Sequence, residues 1–199
     1  MSSYAPIFRG TAAIALAATV AGCGINSIPT AEENVKARWA DVQNDYQRRA
    51  DLIPNLVATV KAAGAQEKSI LVEVTQARAA ASTVQVSGDD LTDPAKIAQF
   101  SRVQGAVGLS LQRLQEAYPE LKSQGNYTTL MSQLEGTENR ITIARRDYNG
   151  AVQAYNTKIR TFPDAVGAKI FYGAKPMVPF AATTPGAETA PTVNFGNAS

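Results

Sequence analysis

The sequence contains no histidine at all. That removes the commonest general acid and base, the commonest metal ligand and the side chain whose charge changes near neutral pH. It has one cysteine, which excludes an internal disulfide and a cysteine-based zinc site. Aromatic residues make up 7% of the chain, while alanine is abundant, a bias toward helix. Charge of one sign is also missing: 19 basic residues face 17 acidic ones in 199 residues. A nearly neutral chain with interspersed signs carries no electrostatic footprint for nucleic acid. No apolar run reaches the length of about 20 residues that a membrane-spanning helix needs.

What is present begins with a leader. Arg9 precedes an apolar run at 10–21, within the range of a secretory h-region and too short to span a bilayer. Val20, Ala21, Gly22 and Cys23 follow the pattern of a bacterial lipobox, in which small side chains precede the cut and the thiol receives a diacylglyceryl group. Residues 1–22 are therefore expected to be a lipoprotein signal peptide and Cys23 the lipidation site. Acyl chains then replace a spanning helix as the anchor, each buried methylene contributing about 0.8 kcal/mol. Arg9 is the only charge before Cys23, so removal of residues 1–22 leaves a net charge of +1. Gly24 rather than aspartate follows the cysteine. The expected location is the cell membrane or outer membrane, with the folded part outside the cytoplasm, on the periplasmic side in a Gram-negative host. Residues 23–30 read as a tether; Pro29 discourages helix, and Thr30 with Glu33 gives a capping-box signature for a helix starting at 31.

Residues 31–162 carry helical periodicity throughout. Val35, Trp39, Val42, Tyr46, Ala50, Ile53, Val57 and Val60 recur at steps of three and four, the spacing of one helix stripe. Pro54 predicts a kink, and Gly64 a stop. A second stretch at 66–83 places Ile70, Leu71, Val74, Ala77 and Ala81 on one side, and 84–92 reads as a loop. Asp93 and Pro94 predict an N-cap with proline in the first turn. The third helix shows Ile97, Phe100, Val103, Val107, Leu111, Leu114 and Tyr118, with Gly105 and Gly108 as candidates for close helix approach. Pro119 stops it, and Gly125 with Asn126 suggests a turn and cap. The fourth shows Leu130, Leu134, Thr137, Ile141, Ala144, Tyr148, Val152, Tyr155, Ile159 and Phe162. The expected fold is all-α: an antiparallel up-down bundle of two long and two shorter helices. Residues 163–199 are expected to form an extended, partly flexible tail, whose Ile170, Phe171, Tyr172, Met177, Val178 and Phe180 suggest that part of it packs on the bundle.

Catalytic motifs are missing from this frame. There is no phosphate-binding glycine loop and no Ser-x-x-Lys dyad. Asp41 with Asp45, and Glu135 with Glu138, stand at helical spacing, but di-metal bundles pair such carboxylates with inward-facing histidines. They read as solvated or capping groups. No catalytic residue, metal site or cofactor is expected. Arg48, Arg49, Arg145 and Arg146 fall near the middles of the long helices, with Asp51 and Asp147 nearby; cross-helix ion pairs, a buried polar cluster or a binding patch for a peptide or acidic headgroup are all compatible with that placement. Trp39, Tyr46, Tyr148 and Tyr155 are expected in the core.

Several runs together carry a family resemblance: RRADLIPNLV at 48–57, EVTQARAAA at 73–81, YPELK at 118–122 and LEGTENRITIARRDYN at 134–149. FP at 162–163, GAKP at 173–176 and PTVNF at 191–195 follow in order. In this combination the chain resembles the LemA family over most of 31–195. The resemblance implies a membrane-tethered helical bundle with roles near envelope maintenance or proteolysis, and implies no particular enzymatic activity. The lipobox departs from the plain hydrophobic anchor of many relatives. The expected function is a lipid-anchored scaffold or adaptor whose partners are the membrane and an envelope or membrane protein. A lipid- or small-ligand-binding module, using a cleft beside the first helix and the tail, is the alternative. Oligomeric state stays open.

Overall fold

The computed structural model describes residues 26–64 and 68–181. The signal peptide, Cys23 and the tail beyond 181 lie outside the described residues. Helix α1 runs Ser27–Ala62, α2 Lys68–Thr83, α3 Pro94–Ala117 and α4 Gly125–Lys158. Short 3-10 turns, Gly88–Thr92 and Pro119–Ser123, precede α3 and α4. A one-turn helix α5, Asp164–Gly167, leads into a π turn at Ala168–Tyr172, and the peptide between Phe162 and Pro163 is cis. No strand occurs among the described residues.

The helices alternate in direction. Trp39 of α1 meets Tyr148 of α4, Arg49 meets Glu138, and Ile53, Leu56 and Val60 share a cluster with Leu134 and Tyr127. Thus α1 and α4, about 54 and 51 Å long, lie antiparallel. Helix α2 turns back along the distal half of α1, and α3 returns beside it, with Phe100 against Tyr46 and Arg113 reaching Glu73 at 2.6 Å. The all-α up-down bundle is the observed architecture.

Local chemistry explains the boundaries. Asp93 accepts from the Ala95 and Lys96 amides ahead of Pro94, a side-chain cap with proline where the missing N–H costs nothing. Ser87 and Asp90 form a capping box around the first 3-10 turn, and Lys96 pairs with Asp90. Gly64, at φ 85°, ends α1 in the left-handed region.

Other boundaries differ from expectation. Helix α1 starts at Ser27, so 27–30 belongs to the bundle rather than the tether. Pro29 falls in the first turn, where its absent N–H had no intrahelical acceptor. Thr30 donates to the Asn26 carbonyl at 2.8 Å instead of capping, and Glu33 pairs with Lys36. Helix α4 starts at Gly125 on a Gln124 N-cap without a side-chain bond. Gly105 has open space around its Cβ position and Gly108 faces only the Arg49 guanidinium, 3.9 Å from its Cβ position, so neither marks a close helix crossing. Phe162 is not on the inner stripe; it is 83% exposed.

Two apolar cores fill the bundle. One, around the proximal half of α1, gathers Trp39, Tyr46, Phe100, Tyr148, Met177 and Phe180. The other lies at the distal end among Ile53, Leu56, Val60, Leu71, Val74, Val107, Leu114 and Leu134. Full burial of each such side chain contributes about 1.5–3 kcal/mol. The polar residues Arg49, Gln104 and Thr137 are buried between them.

Candidate functional site

The centre of the bundle is built on Arg49, which is 3% exposed. The 3-4 rhythm of α1 through Val42, Tyr46 and Ile53 puts position 49 on the inner stripe. Its Nη1 donates to Glu138 Oε2 at 3.0 Å. Its Nη2 donates to the Gln104 carbonyl at 2.8 Å and to Gln104 Oε1 at 2.9 Å. The guanidinium also lies 5.0 Å from the centre of the Tyr46 ring, a cation–π distance. Planar, forked donors suit this site as a lysine would not. Burial pushes the Tyr46 phenol up from its ordinary pKa, against the opposing pull of Arg145 and Arg49. Of the expected cross-helix ion pairs, the structure forms Arg49–Glu138. Arg145 instead covers the Phe180 ring and donates to the Ala181 carbonyl, and Arg146 pairs with its neighbour Asp147. Asp41 pairs with Arg38 and Asp51 accepts from Gln47, both on the solvent side.

Arg49 lines two recesses. The smaller, about 210 Å³, opens between α1, α2 and α3 beside Tyr46, Arg78 and Gln104. The larger, about 780 Å³, lies between α3 and α4, where Leu111, Tyr127, Met131 and Leu134 supply apolar walls and Lys122, Glu135 and Glu138 the polar edge. Tyr127 is buried, and its hydroxyl has no hydrogen-bond partner. This cleft lies between α3 and α4 rather than beside α1 and the tail, and the smaller recess that does border α1 has no tail residue in its lining.

Residues 173–181 lie extended along α4 as a strap. Gly173, at φ 53°, reverses the chain out of the π turn. Asn156 then donates to the Met177 carbonyl at 2.8 Å and accepts its amide at 2.9 Å. One heptad earlier, Asn149 does the same for Phe180, at 3.1 and 2.8 Å. Tyr148 donates to the Val178 carbonyl, and the Val178 amide donates to the Leu91 carbonyl. Phe180 thereby stacks on Trp39, centroids 5.7 Å apart, while the Trp39 indole N–H donates to the Val86 carbonyl at 2.9 Å. Sequence periodicity missed Asn149 and Asn156. Their signal was the seven-residue interval beside the inner stripe, opposite a tail segment with spaced apolar residues.

Among the described residues, no group of three or more His, Cys, Asp or Glu is placed to hold a metal, and no helix is long and apolar enough to cross a membrane. The arrangement defines a strapped, up-down helical bundle with a polar layer at mid-height. The LemA family model matches residues 38–195. The chain belongs to the LemA family, whose proteins are membrane-associated and which is not known as an enzyme family. It is similar to the magnetosome proteins MamQ 2 and MamQ 1 of Paramagnetospirillum magneticum (strain ATCC 700264 / AMB-1), each 27% identical over 157 residues. Those matches cover 69% of this chain and 58% of each relative.

Proposed function

We propose that this LemA-family chain is a lipid-anchored, non-catalytic scaffold or adaptor of the bacterial cell envelope, held through Cys23. The observation that supports it most is the mounting: α1 begins four residues after Cys23 and continues for 36 residues. A rigid bundle so placed presents helix faces to an envelope or membrane protein at a fixed distance from its anchor. The buried Arg49 supports a holding role, since it spends its hydrogen bonds on Glu138 and Gln104 of neighbouring helices.

Intact mass of the membrane-extracted protein tests the anchor, wild type beside Cys23→Ser. The expected result is loss of residues 1–22 with an added acyl mass that the variant lacks. An unmodified full-length chain would return the N-terminus to a signal anchor. Crosslinking at native expression tests the adaptor role, which fails if no protein partner is captured.

The cleft between α3 and α4 supports a second reading, a module for a lipid or small ligand, because the buried Tyr127 hydroxyl there lacks an acceptor. Tyr127→Phe separates the two. A scaffold gains stability from losing an unpaired hydroxyl, by about 1 kcal/mol. A ligand-binding module instead loses the lipid that co-purifies with the wild type.

A further inference from the structure

Five of the eight large hydrophobic side chains exposed among the described residues fall in one short stretch: Phe162, Val166, Ile170, Phe171 and Tyr172. Such concentration marks an interaction surface, whereas single exposed apolar residues do not. Phe162, Ile170 and Phe171 are 83%, 69% and 65% exposed, so the fold does not use them. The stretch packs on the first turn of α1. Ala168 shares the proximal core with Ile28, and the Cβ position of Gly167 lies 3.8 Å from Ile28 Cδ1.

The charge around this patch is mostly of one sign. Arg160, Lys169 and Lys175 are exposed and Lys158 is half-buried, while Asp164 is the only acidic residue from 158 to 175. None of the four cations forms an ion pair among the described residues. Glu32 and Glu33, near the start of α1, are both held by Lys36.

We infer that this end of the bundle seats on an anionic lipid bilayer, with Phe162, Ile170 and Phe171 entering the headgroup boundary and Arg160, Lys169 and Lys175 meeting lipid phosphates. Aromatic and aliphatic side chains ringed by Lys and Arg are the composition that binds such an interface. The position of the N-terminal segment favours lipid over a protein pocket. Cys23 precedes Ser27 by four residues, and four extended residues reach at most about 14 Å. An anchor at Cys23 therefore brings the patch to the bilayer, so the inference rests on the anchoring reading. It adds a second contact that fixes the tilt of the bundle, which attachment at Cys23 alone would leave free.

The test uses the full-length chain carrying Phe171→Trp, reconstituted into vesicles of phosphatidylcholine and phosphatidylglycerol with brominated acyl chains. Trp39 is the only native tryptophan and is buried, so the wild type supplies the background. The tryptophan at position 171 is expected to shift to the blue and to be quenched by bromine. Adding Lys169→Glu and Lys175→Glu is expected to abolish the quenching without moving the melting temperature. Ile170→Trp reports from the neighbouring position if Phe171→Trp disturbs the turn. An acylated chain that floats with the vesicles while position 171 stays unquenched overturns the membrane seat and leaves the anchor standing. Quenching that persists in a Cys23→Ser background supports the seat whatever the intact mass shows of the anchor.

Discussion

Arg78 occupies the hydrogen bond that Pro54 leaves vacant. Within α1 the amide at position 54 would bond the Ala50 carbonyl, but proline has no N–H to give. Arg78 Nε, from α2, donates to that carbonyl at 2.7 Å. The helix continues through Pro54 to Ala62, and its internal gap becomes a docking point for the neighbouring helix. A feature expected to interrupt α1 thus serves to fasten α2 to it.

This relationship predicts a strong coupling. Arg78→Met in the wild type is expected to destabilise the protein by about 2 kcal/mol, the range for a charge-assisted bond to a partly buried carbonyl. In a Pro54→Ala background, the restored helix bond satisfies Ala50 and most of that loss should vanish. Denaturant melts of the four chains give the coupling directly; a coupling near zero would show that Arg78 acts through packing alone.

The Arg49 layer is sensitive to shape more than to charge. Arg49→Lys keeps the charge but cannot hold Glu138 and both Gln104 oxygens from one planar fork, and a loss of about 2 kcal/mol is expected. Glu138→Gln should cost less than about 1 kcal/mol, because Glu138 is half exposed and its pairing is screened by water. Equal losses for the two variants in urea melts would contradict this ranking.

The strap can be followed by light. Phe180→Ala is expected to cost about 3–5 kcal/mol and to shift Trp39 emission to the red as solvent reaches the indole. Asn149→Leu leaves the Phe180 amide and carbonyl without their partner and should produce the same shift, whereas Asn149→Asp keeps the acceptor and should produce less. An unmoved Trp39 spectrum in Asn149→Leu would mean that the ring contacts alone hold the strap.

High pH should unfold the protein through its phenols. Burial raises the pKa of Tyr46, Tyr127, Tyr148 and Tyr155 above 10.0. The native state thus favours the neutral phenol, a preference whose stabilising effect is complete below pH 10 and is lost as pH rises through the folded values. Tyrosinate absorbance is expected to lag in the native protein and to rise together with loss of helix. Tyr148→Phe should weaken the strap at neutral pH, by removing the bond to Val178, while softening the alkaline limb.

Much of the bundle was legible because its apolar residues keep a 3-4 rhythm: Val35, Trp39, Val42, Tyr46 and Ile53 are buried as their spacing requires. The cap at Asp93 was legible because its chemistry is local. Arg49 was harder, since charge argued outward while spacing argued inward, and spacing won once Glu138 and Gln104 supplied acceptors from other helices. The Asn149 and Asn156 grips, like the Arg78 bond, join segments far apart in sequence, and no local pattern encodes the partner. Phe162 failed in the opposite sense: it continues the α4 rhythm, but the helix ends at Lys158, four residues too early to carry it inward.

The continuity of α1 past Pro54 also sets a stand-off. The far end of α1, at Ala62, stands about 50 Å from Ser27, so the exposed Val72 of α2 is held far from the first turn of α1. One helical turn is about 5.4 Å. Matched one-turn deletions in α1 and α4 would therefore shorten the bundle in a countable step while sparing the residues at either end.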